Sequence, residues 1–110
     1  MLMLVLLAGQ TRAAEPSLNE ILRDYENPAL RATVLLKLSS IETALGWANS
    51  ALRAQRMSRR ALYCQPDYLT IEPHELISML SDALGDEPRL GDRPIGFVVL
   101  ITLQRAFPCK

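Results

Sequence analysis

Two cysteines, Cys64 and Cys109, constrain this chain more than any other feature of its sequence. Two cysteines allow only one connectivity. If they are joined, a loop of about 45 residues is closed, which chain-entropy reasoning values at roughly 4 kcal/mol. That is comparable to the whole stability of a small domain. The chain has 110 residues, enough for one domain. A domain of this size buries roughly 60–65% of its unfolded surface, so the core has a thin margin and a covalent staple matters. If the cysteines stay reduced, they are two small apolar side chains in a core.

The N-terminus bears on which state applies. Residues 2–8 (Leu-Met-Leu-Val-Leu-Leu-Ala) form an apolar run of the length of a signal-peptide core. Thr11 and Ala13 then place small residues at −3 and −1 of a cleavage site before Ala14. The run is too short to cross a bilayer, which takes about 20 apolar residues. A leader normally opens with Lys or Arg, and here only the chain's amino group is positive; a start placed a few codons late would leave that pattern. The expectation is a leader over residues 1–13, one helical domain over 14–110, export to the periplasm, and a Cys64–Cys109 disulfide. The alternative is a buried N-terminal helix or strand with both thiols reduced.

Apolar residues make up 49% of the chain and charged ones 22%, the balance of a globular domain rather than a disordered one. Twelve Lys/Arg against twelve Asp/Glu give a formal net charge of zero. That argues against nucleic acid as a partner, since such binding needs a basic surplus to displace counterions.

The periodicity is helical. Ser17 and Glu20 have the spacing of a capping box and predict a short helix over about 18–26. Asn27-Pro28 predicts an N-cap followed by proline at the first helical position. From there Leu30, Val34, Leu35, Leu38, Ile41, Leu45, Ala48 and Leu52 keep a helical period to about residue 56. A straight helix of that span is roughly 43 Å long, so Ser39-Ser40 or Gly46 is a candidate bend or break. Gly46 and Ser50 would admit a second helix, and Trp47 beside them reads as core. Arg53, Arg56, Arg59 and Arg60 complement the dipole at the helix end, or form a docking patch for an acidic partner. Thr70 is the expected cap of a third helix, in which Leu76, Ile77, Leu80, Ala83 and Leu84 form one apolar stripe. Gly85 is read as its C′ residue and Pro88 as its stop. Residues 85–93 read as a polar loop. Residues 95–103 are almost unbroken apolar; capping signals and context favour a central helix, and β-branched content leaves a buried strand as the alternative. The fold expected is a small all-α bundle of about four helices with one disulfide.

No catalytic constellation emerges. His74 is the only histidine; Glu75 follows it, but position 78 is serine, so the His-Glu-x-x-His zinc helix is absent. Neither a metal-ligand spacing nor a phosphate-binding glycine loop occurs, and no cofactor is expected. The chain reads as a non-enzyme.

The Cys64-Gln65-Pro66 loop, a Thr-capped helix ending in leucine, a Pro-containing polar loop, an apolar helix and a terminal Ala106-Phe107-Pro108-Cys109 resemble the Rap/Tai-type immunity proteins. The stretch Gly46-Trp47-Ala48-Asn49-Ser50-Ala51 is similar to that family's Gly-aromatic-small helix. Together these cover about residues 41–109. The sequence departs from the pattern at Pro73, where Gln or Glu is common, and at Ser50, where glycine is. The resemblance implies a small exported helical protein, often a homodimer, that neutralises a type VI secretion amidase cutting peptidoglycan. It also implies that the loop between the last two helices engages the effector. In this chain that loop offers Asp86, Glu87, Arg89 and Asp92, whose charges suit charge-assisted hydrogen bonds. A different class of function shares the small disulfide-bonded helical frame: acid-activated periplasmic chaperones of the HdeA type, or an accessory subunit of an envelope complex.

Overall fold

The helical register that begins at Pro28 is realised as a single unbroken helix, around which the other elements are arranged. The computed structural model describes residues 15–55 and 61–109. The expected leader (1–13) and Arg56, Arg59 and Arg60 of the basic helix end lie outside the described residues.

Helix α1 spans Leu18–Glu26 and α2 spans Pro28–Ala54. Ser17 opens α1, its Oγ accepting the Glu20 N–H at 3.2 Å. Asn27 separates the two helices and serves both. Its N–H donates to the Asp24 carbonyl of α1, and its Oδ1 accepts the Ala29 N–H of α2 at 3.0 Å. Pro28 sits at the first helical position, where its missing N–H leaves nothing unpaired. Arg31 secures the corner, donating from Nε to the Tyr25 carbonyl at 2.9 Å with its guanidinium over the Tyr25 ring. The expected break in α2 at Ser39-Ser40 or Gly46 does not occur. Ser40 donates its hydroxyl to the Leu36 carbonyl at 3.0 Å without interrupting the ladder, and the helix runs 27 residues.

Helix α3 spans Pro73–Asp86. Its cap is Glu72, not Thr70. Proline at the first helical position makes the preceding residue the cap and holds it extended (φ −73°, ψ 149°). Glu75 Oε1 accepts the Glu72 N–H at 3.1 Å, one arm of a capping box. At the other end Gly85 is still helical, and the helix stops at Asp86, two residues before Pro88, with Glu87 between them out of the helical conformation (φ −141°, ψ 84°). The expected polar loop is therefore a helix end followed by a 3-10 turn, Pro88–Asp92, in which Leu90 and Gly91 are buried. Gly91 permits α1 to cross closely, because a Cβ there would lie 2.5 Å from the Asn19 side chain.

Helix α4, Ile95–Ala106, resolves the ambiguous apolar run as a helix. Ile95, Val98, Val99, Thr102 and Leu103 are buried, the i, i+3, i+4 spacing of a packed helical face. Its N-terminus is tied to the start of the described chain. Leu18 N donates to Arg93 O at 3.1 Å, Ile95 N to Pro16 O at 2.9 Å, and Gly96 N to Glu15 Oε1 at 2.8 Å. Glu15 thus caps a helix whose own preceding residue, Pro94, has no acceptor side chain. Leu18, Ile21, Leu38, Leu76, Leu80, Ile95, Val98, Val99 and Leu103 form the fully buried centre. The described residues form an all-α bundle of four helices carrying the Cys64–Cys109 disulfide, with the two Cα atoms 5.0 Å apart. No helix among the described residues is long and apolar enough to cross a membrane.

Candidate functional site

The C-terminal half of α2 is mostly exposed or half-buried. Its one buried residue beyond Leu38 is polar, Asn49. Asn49 Nδ2 donates to the Tyr63 carbonyl at 2.8 Å, and Oδ1 accepts the Leu62 N–H at 2.7 Å. One side chain therefore stitches the connector before α3 to the end of α2. The disulfide holds the next residue, Cys64, whose N–H also donates to Phe107 O at 2.8 Å. Gln65 Nε2 donates to Leu69 O at 2.7 Å and shapes the turn that follows.

Between the pinned connector and α2 lies an open cleft of about 470 Å³. Its helical wall is Ser39, Glu42, Thr43, Gly46, Asn49, Ser50 and Arg53, spaced at steps of three and four along one face. The other wall is Tyr63, the 65–67 turn and residues 69–73. Two expectations about this helix are corrected here. No atom lies within 4 Å of where a Gly46 Cβ would stand, so the glycine widens a cleft instead of admitting a helix. Trp47 is 74% exposed, not core. It lies about 200° of helix from the pinned residue Asn49 but only about 40–60° from Thr43 and Ser50, so it stands just outside the edge of the cleft's helical wall. Tyr68, 89% exposed, stands on the connector side.

Glu42 dominates the electrostatics of the cleft. Burial, followed by the carboxylates of Glu72 and Glu75, pushes its carboxyl up to about 7. Its Oε1 is buried and has no hydrogen-bond partner. Tyr63 is also raised, first by burial and then by Glu42, with Arg53 opposing. The Arg53 guanidinium meets Asp67 at 3.7 Å across the cleft. A carboxyl in this state can exchange a proton near neutrality or hold a cation. The lining contains neither histidine nor thiol, and among the described residues no cluster of His, Cys, Asp and Glu is assembled for a metal.

The charged residues expected to meet a partner lie elsewhere, after α3. Asp86, Arg89 and Asp92 are exposed. Glu87 is half-buried and engaged within the fold, 2.8 Å from Arg105 of α4 and 3.9 Å from Arg89. The structure brings these four to one short segment and keeps Glu42, Asn49, Tyr63 and Arg53 together in the cleft. His74 is exposed and does not line the cleft. Sequence reasoning passed over Glu42 and Asn49 as site residues. The signal was the line Ser39, Glu42, Gly46, Asn49, Arg53, a polar and small stripe at helical spacing beside the apolar one.

No protein-family model matches the chain, and neither a curated protein nor a solved structure is detectably similar to it.

Proposed function

We propose that this is an exported binding protein that neutralises a type VI secretion peptidoglycan amidase by covering its active-site cleft, with no reaction of its own. The observation that carries the binding reading is the pair of exposed aromatics, Trp47 and Tyr68, beside a cleft on a frame closed by a disulfide. Exposed Trp and Tyr on a rigid support are the side chains that dominate binding energy at protein interfaces. Fixed loop ends reduce the ordering cost of association. The amidase as partner comes from the resemblance of residues 41–109 to the Rap/Tai-type immunity proteins, and a periplasmic location follows from the same reading. The disulfide is compatible with an oxidising compartment.

In this reading the turn after α3 presents Asp86, Arg89 and Asp92 to the enzyme, while Glu87 holds the turn to α4 through Arg105. The test is inhibition and co-purification with an amidase encoded beside this gene. A 1:1 or 2:2 complex with loss of peptidoglycan cleavage is expected; absence of both binding and inhibition overturns the reading. Charge reversal at Asp86 and Arg89, compared with Trp47→Ala, identifies the contacting surface by which change weakens the complex.

A further inference from the structure

We propose that the cleft between α2 and the 63–73 connector receives a basic side chain, an arginine or lysine of a protein partner, whose cationic group pairs with Glu42. The inference rests on the reading of the chain as a protein-binding module and specifies what one part of its surface recognises.

Three observations converge on a cation. First, Glu42 Oε1 is buried in the cleft wall with no hydrogen-bond partner, and a buried acceptor left unpaired is costly. Turning that carboxyl into the cleft, where an arriving donor can meet it, would remove that cost. Second, the carboxylates nearest to it at the start of α3 have the same sign. Glu72 and Glu75 at the start of α3 both raise the Glu42 carboxyl, so the field at the site favours a positive guest. The other charged or titratable groups around it are Tyr63, Arg53 and Asp67. Arg53 is the cation placed to neutralise Glu42, and it is paired with Asp67 instead. Third, the space is present. At about 470 Å³, with nothing near the Gly46 Cβ position, the cleft is large enough to admit an arginine side chain.

The rim identifies a protein as the source of the cation. Trp47, one helical turn from Thr43 and Ser50 of the wall, and Tyr68 on the connector expose aromatic surface outside the cleft. A free amine would leave that surface uncovered, whereas a polypeptide carrying the cation would cover it. Aromatic faces also attract an approaching cation.

The experiment titrates the full disulfide-bonded chain with acetyl-Gly-Arg-Gly-amide, its citrulline counterpart and putrescine, followed by NMR of the Glu42 carboxyl and the backbone amides. With the arginine peptide bound, the Glu42 midpoint should fall by about one unit or more, as an adjacent opposite charge requires. Shifts should centre on Gly46, Asn49 and Tyr63. Glu42→Gln should weaken binding by about tenfold or more. Gly46→Leu should block it while leaving Glu42 intact, because it fills the cleft from a position with open space. The proposal is overturned if the citrulline peptide binds as well, if either variant binds unchanged, or if no arginine-peptide binding is seen at millimolar concentration. Putrescine binding as tightly as the peptide would also overturn it, making the cleft a small-amine site. An amidase complex that forms equally well with Glu42→Gln and Gly46→Leu would remove the cleft from the interface and leave the protein-binding reading standing. Peptide binding without any amidase complex would do the reverse.

Discussion

Glu42 costs the fold stability in order to stay where it is. Its carboxyl is raised from 4.5 to about 7, so between those values the native state binds a proton that the unfolded chain has released. Stability therefore falls as pH rises through that window, and the full cost is present above about 7. The group is only half-buried, so solvent screening reduces that cost to about 1–2 kcal/mol. Glu42→Gln should accordingly stabilise the protein at pH 8 and have little effect at pH 4.5. Urea denaturation of both proteins across this range measures it; parallel curves would show that Glu42 is ordinarily solvated. Asn49 works in the opposite direction. Asn49→Ala strands the Leu62 N–H and the Tyr63 carbonyl, and should destabilise by about 2–3 kcal/mol, with faster amide exchange at Leu62.

Among the elements, the starts of α1 and α2 were legible, whereas the start and the end of α3 were not. Ser17 and Asn27-Pro28 act as their chemistry dictates, because an N-cap is a local arrangement of side chain and backbone. Thr70 failed as a cap for an equally local reason, since Pro73 claims its predecessor. Gly85 failed for a different one. A glycine before a proline stop has the form of a C′ residue, yet the helix continues through Asp86 until Pro88 forbids it. Because Gly85 is helical and nothing lies within 4 Å of its Cβ position, Gly85→Ala should stabilise by about 0.5–1 kcal/mol. Thermal denaturation decides the matter; a loss of stability would mean that the glycine terminates the helix after all.

At the scale of the molecule, the disulfide joins the connector to the end of α4 and so holds one wall of the cleft. Cys64→Ser with Cys109→Ser should lower stability by about 2–4 kcal/mol. It should also raise hydrogen exchange over residues 62–70 more than over α1 and the first half of α2. Equal protection in the two regions would mean that Asn49 alone keeps the connector in place. The helical character of α1 to α3 and their order were decided by the sequence alone, because caps, prolines and the 3.6-residue period act over a few neighbours, and two cysteines left a single possible pairing. Residues 95–103 stayed open between helix and strand until the fold made them α4. Tertiary structure decided where polar side chains face. Trp47 is exposed, Glu42 is desolvated and Glu87 is drawn to Arg105, because each depends on segments distant in the chain that only the folded molecule sets against one another.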